Sequence, residues 1–123
     1  MKDVIPLSLG LEIVGGFISV ILPRNTKYPV SITQNYTTEN DNQTNVIIEV
    51  FEGEGKLSKE CNKLGKFDVH GIPRAPACTV IIHVIFSYDA NGILTVDAHE
   101  ESSGTKGSIK IENKKGRLSE KQI

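Results

Sequence analysis

The chain has 123 residues, 14 basic and 15 acidic, and a formal net charge of −1 at pH 7. That length suits one domain, with a core large enough to need no disulfide or metal. The even charge balance makes no general case for nucleic acid or an anionic membrane. The apolar runs fall far short of the roughly 20 residues of a membrane helix, and no signal-peptide pattern opens the chain.

Alternation with period two dominates from the start, the mark of half-buried strands. Leu7, Leu9, Leu11 and Ile13 share one parity up to Gly15-Gly16; "FISVIL" follows, and Pro23 ends it. Val30, Ile32 and Tyr36 form the next face. Asn35 to Asn45 is almost wholly polar and too long for a tight hairpin turn. Long ordered loops of this kind are often functional. Val46, Ile48 and Val50 resume the alternation until "GEG" at Gly53 to Gly55. Phe67 and Val69 predict a short strand, and Val80, Ile82, Val84 and Phe86 a strong one. Asn91-Gly92 predicts a hairpin, since both residues tolerate positive φ. Leu94, Val96 and Ala98 carry the returning strand, and Ile109 and Ile111 the last. The pattern is all-β, about eight strands in an antiparallel sandwich or barrel. Residues 113–123 differ: Ser119 is placed to cap a helix that Glu120 begins.

Chemical motifs are scarce. No Ser or Cys stands in a recognisable nucleophile–base pattern, so a hydrolase on a β-barrel lacks its catalytic set. Cys61 and Cys78 read as free thiols rather than a disulfide. His70, His83 and His99 lack close ligand spacing, which predicts no metal site. His83 falls opposite the stronger apolar face and reads as a surface or satisfied histidine. Glu52 and Glu54 read as a solvated turn, and "GEG" lacks the Lys and Ser/Thr of a phosphate loop. Asn35-Tyr36-Thr37 and Asn42-Gln43-Thr44 fit a glycosylation pattern that matters only in a secreted protein. A carrier, a sandwich interaction module and a peptide binder all fit this much.

The words of the sequence go further. "DVIPLSLGLEIVGG" (Asp3 to Gly16), "PRNTKYP", "DNQ", "VFEGE", "LGKFDVHGIPRAP", "DANGIL" and "NKKGRLS" occur in one order along the chain. Together they resemble the β-sandwich substrate-binding domain of the 70-kDa heat-shock protein chaperones, most closely the eukaryotic cytosolic members. The resemblance implies a two-sheet sandwich over residues 1–112 that grips extended apolar segments of unfolded clients. Residues 113–123 would be a linker and the first turn of a lid helix. An ATPase domain, with its ATP and Mg, would lie in a longer cytoplasmic parent, served by J-domain co-chaperones and nucleotide-exchange factors. The chain itself would be a binding fragment without catalysis or cofactor. The alternative is a divergent interaction module with the same fold and reduced client binding.

Matched residue by residue, the resemblance implies a central pocket of Leu11, Ile13, Tyr36, Val46, Ile48 and Ile82. Val14 and Glu39 would arch over the peptide, and the Thr37 main chain would hydrogen-bond it. Asp41 would latch the lid, while Asp3, Arg24 and Asn25 would face the ATPase domain. The chain also departs from the family. Tyr36 replaces a usual Phe, so its hydroxyl needs a partner if buried. Ile13 replaces a common Thr, Glu39 puts a carboxylate at an arch, and Ala77 falls on an Arg that helps latch the lid. Glu39, Asp41, Glu49 and Glu52 together predict a negative channel rim. An uncovered apolar channel also implies weak self-association, with Leu118 or Ile123 entering a neighbour's channel.

Overall fold

The computed structural model describes residues 4–112. Asp3 and the expected helix start, with Leu118, Ser119, Glu120 and Ile123, lie outside the described residues. The elements in chain order are β1 (Leu9–Ile13), β2 (Phe17–Leu22), β3 (Val30–Tyr36), β4 (Asn45–Glu52), a 3₁₀ turn (Ser58–Glu60), β5 (Asn62–His70), β6 (Ile82–Tyr88), β7 (Ile93–Glu100) and β8 (Lys106–Glu112). They form two four-stranded sheets, ordered β2-β1-β4-β5 and β3-β6-β7-β8. Every neighbouring pair is antiparallel. The fold is an all-β sandwich.

Parity explains which residues meet. Ile82, Val84, Phe86 and Tyr88 of β6 are buried, as are Leu94, Val96 and Ala98 of β7. They face Leu9, Leu11, Ile48, Val50 and Val69 of the other sheet. Each such side chain contributes about 1.5–3 kcal/mol on full burial. The sheets close along one side because two glycines let β5 and β8 approach. A Cβ on Gly65 would come within 2.7 Å of Ile109, and one on Gly107 within 2.7 Å of the Asp68 carbonyl. On the other side the edge strands β2 and β3 are joined by a hydrogen bond between the Ser19 and Tyr36 hydroxyls, 2.9 Å long.

Three local expectations change. β5 spans nine residues rather than a short stretch. A register shift opposite Val50/Phe51 breaks the alternation over its first half. Phe51 and Glu52 are both buried beyond that shift, so Glu52 is not part of a solvated turn. Glu54 is structural too, accepting bonds from the Ser8 amide at 2.9 Å and the Ser8 hydroxyl at 2.8 Å. In the hairpin only Gly92 of the Asn91-Gly92 pair takes positive φ, at 81°. The Asp89 carboxylate organises that turn instead, accepting the amides of Asn91 and Ile93 at 2.8 and 3.0 Å.

Candidate functional site: a cleft at one end of the sandwich

The β1–β2 turn and the polar loop after β3 emerge at the same end of the sandwich. Gly15 and Gly16, with φ of 91° and 80°, make the turn that carries Val14 outward. Val14 is 60% exposed at its tip. Between the turn and the loop opens a cleft of about 610 Å³. Leu11, Ile13, Tyr36, Val46 and Ile48 give it an apolar lining, with Val14, Thr37 and Glu39 also on its wall. Ile82 does not line it. That residue is wholly buried in the core and paired with Tyr36 across β3 and β6. Core and cleft residues share the same alternation, so the pattern does not separate them.

The polar loop is held in place by its own side chains. Gln43 Oε1 accepts the amides of Glu39 and Asn40 at 3.0 and 3.1 Å, and Gln43 Nε2 donates to the Asn45 carbonyl at 2.9 Å. The loop is also tied to the segment before β6. Asp41 Oδ1 accepts the Ala77 amide at 2.8 Å. The Asn42 amide donates to Ala75 O at 2.8 Å, and the Cys78 amide to Thr38 O at 3.1 Å. A long polar loop thus becomes a rigid lip beside an apolar cleft.

Tyr36 has the partner its hydroxyl requires. Its ring packs on the core, and its hydroxyl meets Ser19 of β2. Burial pushes the phenol pKa up, and the Ser19 hydrogen bond offsets part of that rise. His83 is satisfied on both ring nitrogens, by Asn35 Oδ1 at 2.7 Å and Glu101 Oε1 at 2.9 Å. Among the described residues no cluster of three His, Cys, Asp or Glu side chains is arranged to hold a metal.

The acidic rim is narrower than expected. Glu49 pairs with Lys63 at 3.5 Å. Glu52 is buried at the end of β4 away from the cleft. Of the four acids, Glu39 and Asp41 remain exposed at the lip. Glu12, which the sequence did not single out, joins the cleft lining and accepts the Ser58 hydroxyl at 2.9 Å. Asn35, Thr38, Ile47 and Cys78 were missed as well. Ile47 falls on the outward parity of β4, and Cys78 lies in a stretch without periodicity. Both cysteines are free, and Cys78 is exposed.

The opposite end has other chemistry. Arg24 and Asn25 sit in the turn after β2, with Asn25 at φ 72°. The Asn25 amide donates to Ile5 O at 2.7 Å, and the Arg24 amide to Ser8 Oγ at 3.0 Å. The Gly53–Gly55 turn is no phosphate cradle. The Gly53 amide is bonded to Ser8 O at 2.9 Å, and Glu54 places a carboxylate there.

The chain is thus an antiparallel β-sandwich with a loop-bounded apolar cleft at one end. The family comparison makes that class specific: the family model "Hsp70 protein" matches residues 1–123, and the chain belongs to that family. It is 50% identical over 121 residues to "Heat shock cognate 70 kDa protein 3" of Dictyostelium discoideum, covering 98% of this chain and 19% of that protein. It is 47% identical over 123 residues to "Heat shock 70 kDa protein" of Neurospora crassa, covering 100% of this chain and 19% of that protein. A bacterial relative, "Chaperone protein HscA homolog" of Polynucleobacter asymbioticus, is 48% identical over 111 residues, 90% of this chain and 18% of its own length. The chain therefore spans about a fifth of the length of these relatives.

Proposed function

We propose that this chain is the peptide-binding module of a molecular chaperone, gripping extended apolar segments of unfolded clients in the cleft. The observation that carries this reading is the apolar cleft between Val14 and Glu39, in a member of the Hsp70 family. An extended peptide needs partners for its own amides and carbonyls, which loop backbone such as that of Thr37 can supply without reading sequence. Leu11, Ile13, Tyr36, Val46 and Ile48 then receive one Leu-like side chain, a burial worth about 1.5–3 kcal/mol. Val14 and Glu39 flank the peptide from either side. Ile82 supports the site from the core.

The longer parent would add the ATPase domain that controls the grip, with ATP and Mg bound there, and would act in the cytoplasm. Arg24 and Asn25, at the end away from the cleft, suit contact with that domain, as does Asp3 in sequence. J-domain co-chaperones and nucleotide-exchange factors would act on the parent. Asp41 is assigned to latch a lid. Its bond to the Ala77 amide supports a second reading, a divergent interaction module in which latching and client binding are reduced.

Fluorescence anisotropy with a labelled Leu-centred peptide tests the proposal. The chain should bind, and Val46→Phe should fill the cleft and weaken binding at least tenfold. Overpacking costs about 1–3 kcal/mol of stability, so a melting curve must show that the variant is folded. No binding by the parent chain would favour the second reading. Unchanged affinity in folded Val46→Phe would remove Val46 from the site.

A further inference from the structure

We propose that Cys78 and Thr38 form a thiol subsite on the cleft wall that captures a client cysteine as a mixed disulfide. The subsite rests on the peptide grip proposed above and deepens it with a class of client: extended segments whose cysteine is already in a disulfide with a small thiol.

Cys78 is free and exposed, and it lines the cleft together with Thr38. Cys61 is outside that lining, and its thiol donates to Gly55 O at 3.5 Å. The main chain sets Cys78 in place. The Thr79 amide donates to Pro76 O at 3.3 Å, closing a turn with Ala77 and Cys78 at its centre. Cys78 takes φ of 67° there. Gly or Asn is usual at that turn position, because a Cβ is disfavoured. The Cys78 amide donates to Thr38 O at 3.1 Å, and the Ala77 amide to Asp41 Oδ1 at 2.8 Å. The thiol thus stands on braced backbone at the cleft wall. Thr38 adds an unmet polar group. It is 1% exposed, and its Oγ1 is buried without a hydrogen-bond partner among the described residues. A buried hydroxyl left unpaired costs free energy that a partner restores. An extended peptide lying along this wall brings main-chain carbonyls, which supply the missing acceptor.

The exchange needs no external oxidant. The Cys78 thiol gives its proton to water, and the thiolate attacks the sulfur of the client cysteine. A bond forms between those two sulfurs as the client's bond to the small thiol breaks. The small thiol leaves as a thiolate and takes up a proton, so Cys78 is oxidised and the small thiol reduced. No Lys, Arg or His is among the described residues lining the cleft to favour the thiolate. The acceleration therefore comes from proximity, since a bound peptide holds its sulfur at an effective concentration on the order of millimolar.

Leu-centred peptides with a single cysteine capped by thionitrobenzoate, its position moved along the peptide, provide the test in a Cys61→Ser background. Release of the coloured thiolate should be at least tenfold faster for one or two cysteine positions than for capped free cysteine. Excess cysteine-free Leu-centred peptide should suppress that difference. Cys78→Gly should abolish release while raising the melting temperature, because glycine suits the turn. Thr38→Val should slow release at least threefold with an unchanged or higher melting temperature, whereas a purely structural Thr38 would leave release unaltered. Anisotropy on the same peptides separates two failures. Peptide that binds without faster release overturns the subsite alone, and peptide that does not bind overturns the grip beneath it as well. Release that is equal at every cysteine position, persists in Cys78→Gly or ignores Thr38→Val also overturns the subsite.

Discussion

The two ends of the sandwich treat polar and apolar groups in opposite ways. At the cleft end, apolar side chains stay uncovered: Ile13 is 40% exposed and Val14 60%. The polar groups there are used to brace loops, through Gln43 and Asp41. At the other end a knot of polar groups joins β1, β2 and β4. The Ser8 hydroxyl donates to Glu54 and accepts the Arg24 amide. Apolar groups there are covered, with Tyr28 and Tyr88 ring centroids 4.7 Å apart. One core serves both ends. One end leaves apolar residues open on a braced backbone, the arrangement the proposed peptide grip requires, whereas the other ties its polar groups inward and holds strands together.

The largest expected effect comes from the shared core. Ile82→Ala should cost about 2–5 kcal/mol of stability through the cavity it leaves. Peptide affinity should change little in the fraction that remains folded, because Ile82 lies outside the cleft lining. Chemical denaturation together with anisotropy checks this. Loss of affinity without loss of stability would return Ile82 to the site.

Two hydrogen-bonded carboxylates, one at each end, sharpen the comparison next. Hydrogen bonds from the Ser8 amide and hydroxyl hold the Glu54 carboxyl below its usual range, with Arg24 assisting. At the cleft end of β7, burial alone would raise Glu100, but hydrogen bonds from Ser103 and Ser102 outweigh it and lower the pKa to about 2. A depressed folded pKa gives stability that is complete above the unfolded value and lost as pH falls through the folded one. Stability should therefore decline from about pH 4.5, the ordinary range of a Glu carboxyl, toward pH 2, where the depressed Glu100 finally titrates. Glu100→Gln should flatten that decline in urea titrations across pH. It should also lower neutral-pH stability by about 1–3 kcal/mol, the usual cost of disturbing a buried hydrogen-bonded group. Ser8→Ala should also lower neutral-pH stability, without touching peptide affinity. Unaltered acid stability in Glu100→Gln would show that another group governs the transition.

The sandwich was legible where one face of a strand is buried. β6 and β7 carry period-two alternation throughout, and their register follows from it. β5 was under-read, because its first half lacks that alternation. Glu52 was misread because a register shift next to it turned an apparently solvent-facing carboxylate inward. Local spacing carries no sign of such a shift. Leu11, Ile13, Tyr36, Val46 and Ile48 of the cleft were legible through family words, whereas Thr38 and Cys78 enter it from loops that have no periodic signal. The Ser19–Tyr36 bridge joins residues 17 apart in sequence, on edge strands of different sheets. The sequence indicated only that Tyr36 required some partner.

That bridge separates bracing from binding. Tyr36→Phe keeps the ring in the cleft and removes the bond to Ser19. Stability should fall by about 0.5–1.5 kcal/mol, the usual net value of one hydrogen bond. Equilibrium peptide affinity should change less than twofold if the ring is the contact. A thermal melt and anisotropy on the same samples check both. A large affinity loss would mean that the hydroxyl itself shapes the cleft.

The smallest expected effect tests charge at the lip. Glu49 is paired with Lys63 and Glu52 is buried, so the negative rim reduces to Glu39 and Asp41. Asp41 already accepts the Ala77 amide, which ties its carboxylate to the loop. Glu39, with only its amide held by Gln43, keeps an exposed carboxylate at the cleft. Peptides with Lys or Arg beside the central Leu should therefore bind better than neutral-flanked ones. Exposed ion pairs contribute about 0.2–1 kcal/mol each, so the preference should be a few-fold. Salt should shrink it, because solvated charges are screened over about 10 Å at 0.1 M ionic strength. Glu39→Gln should remove most of the basic preference and leave the neutral-flanked peptide unchanged. Equal weakening of both peptides would assign Glu39 a packing role over the peptide instead. A basic preference that survives Glu39→Gln at low salt would move its origin to Asp41 on the lip or Glu12 in the cleft lining.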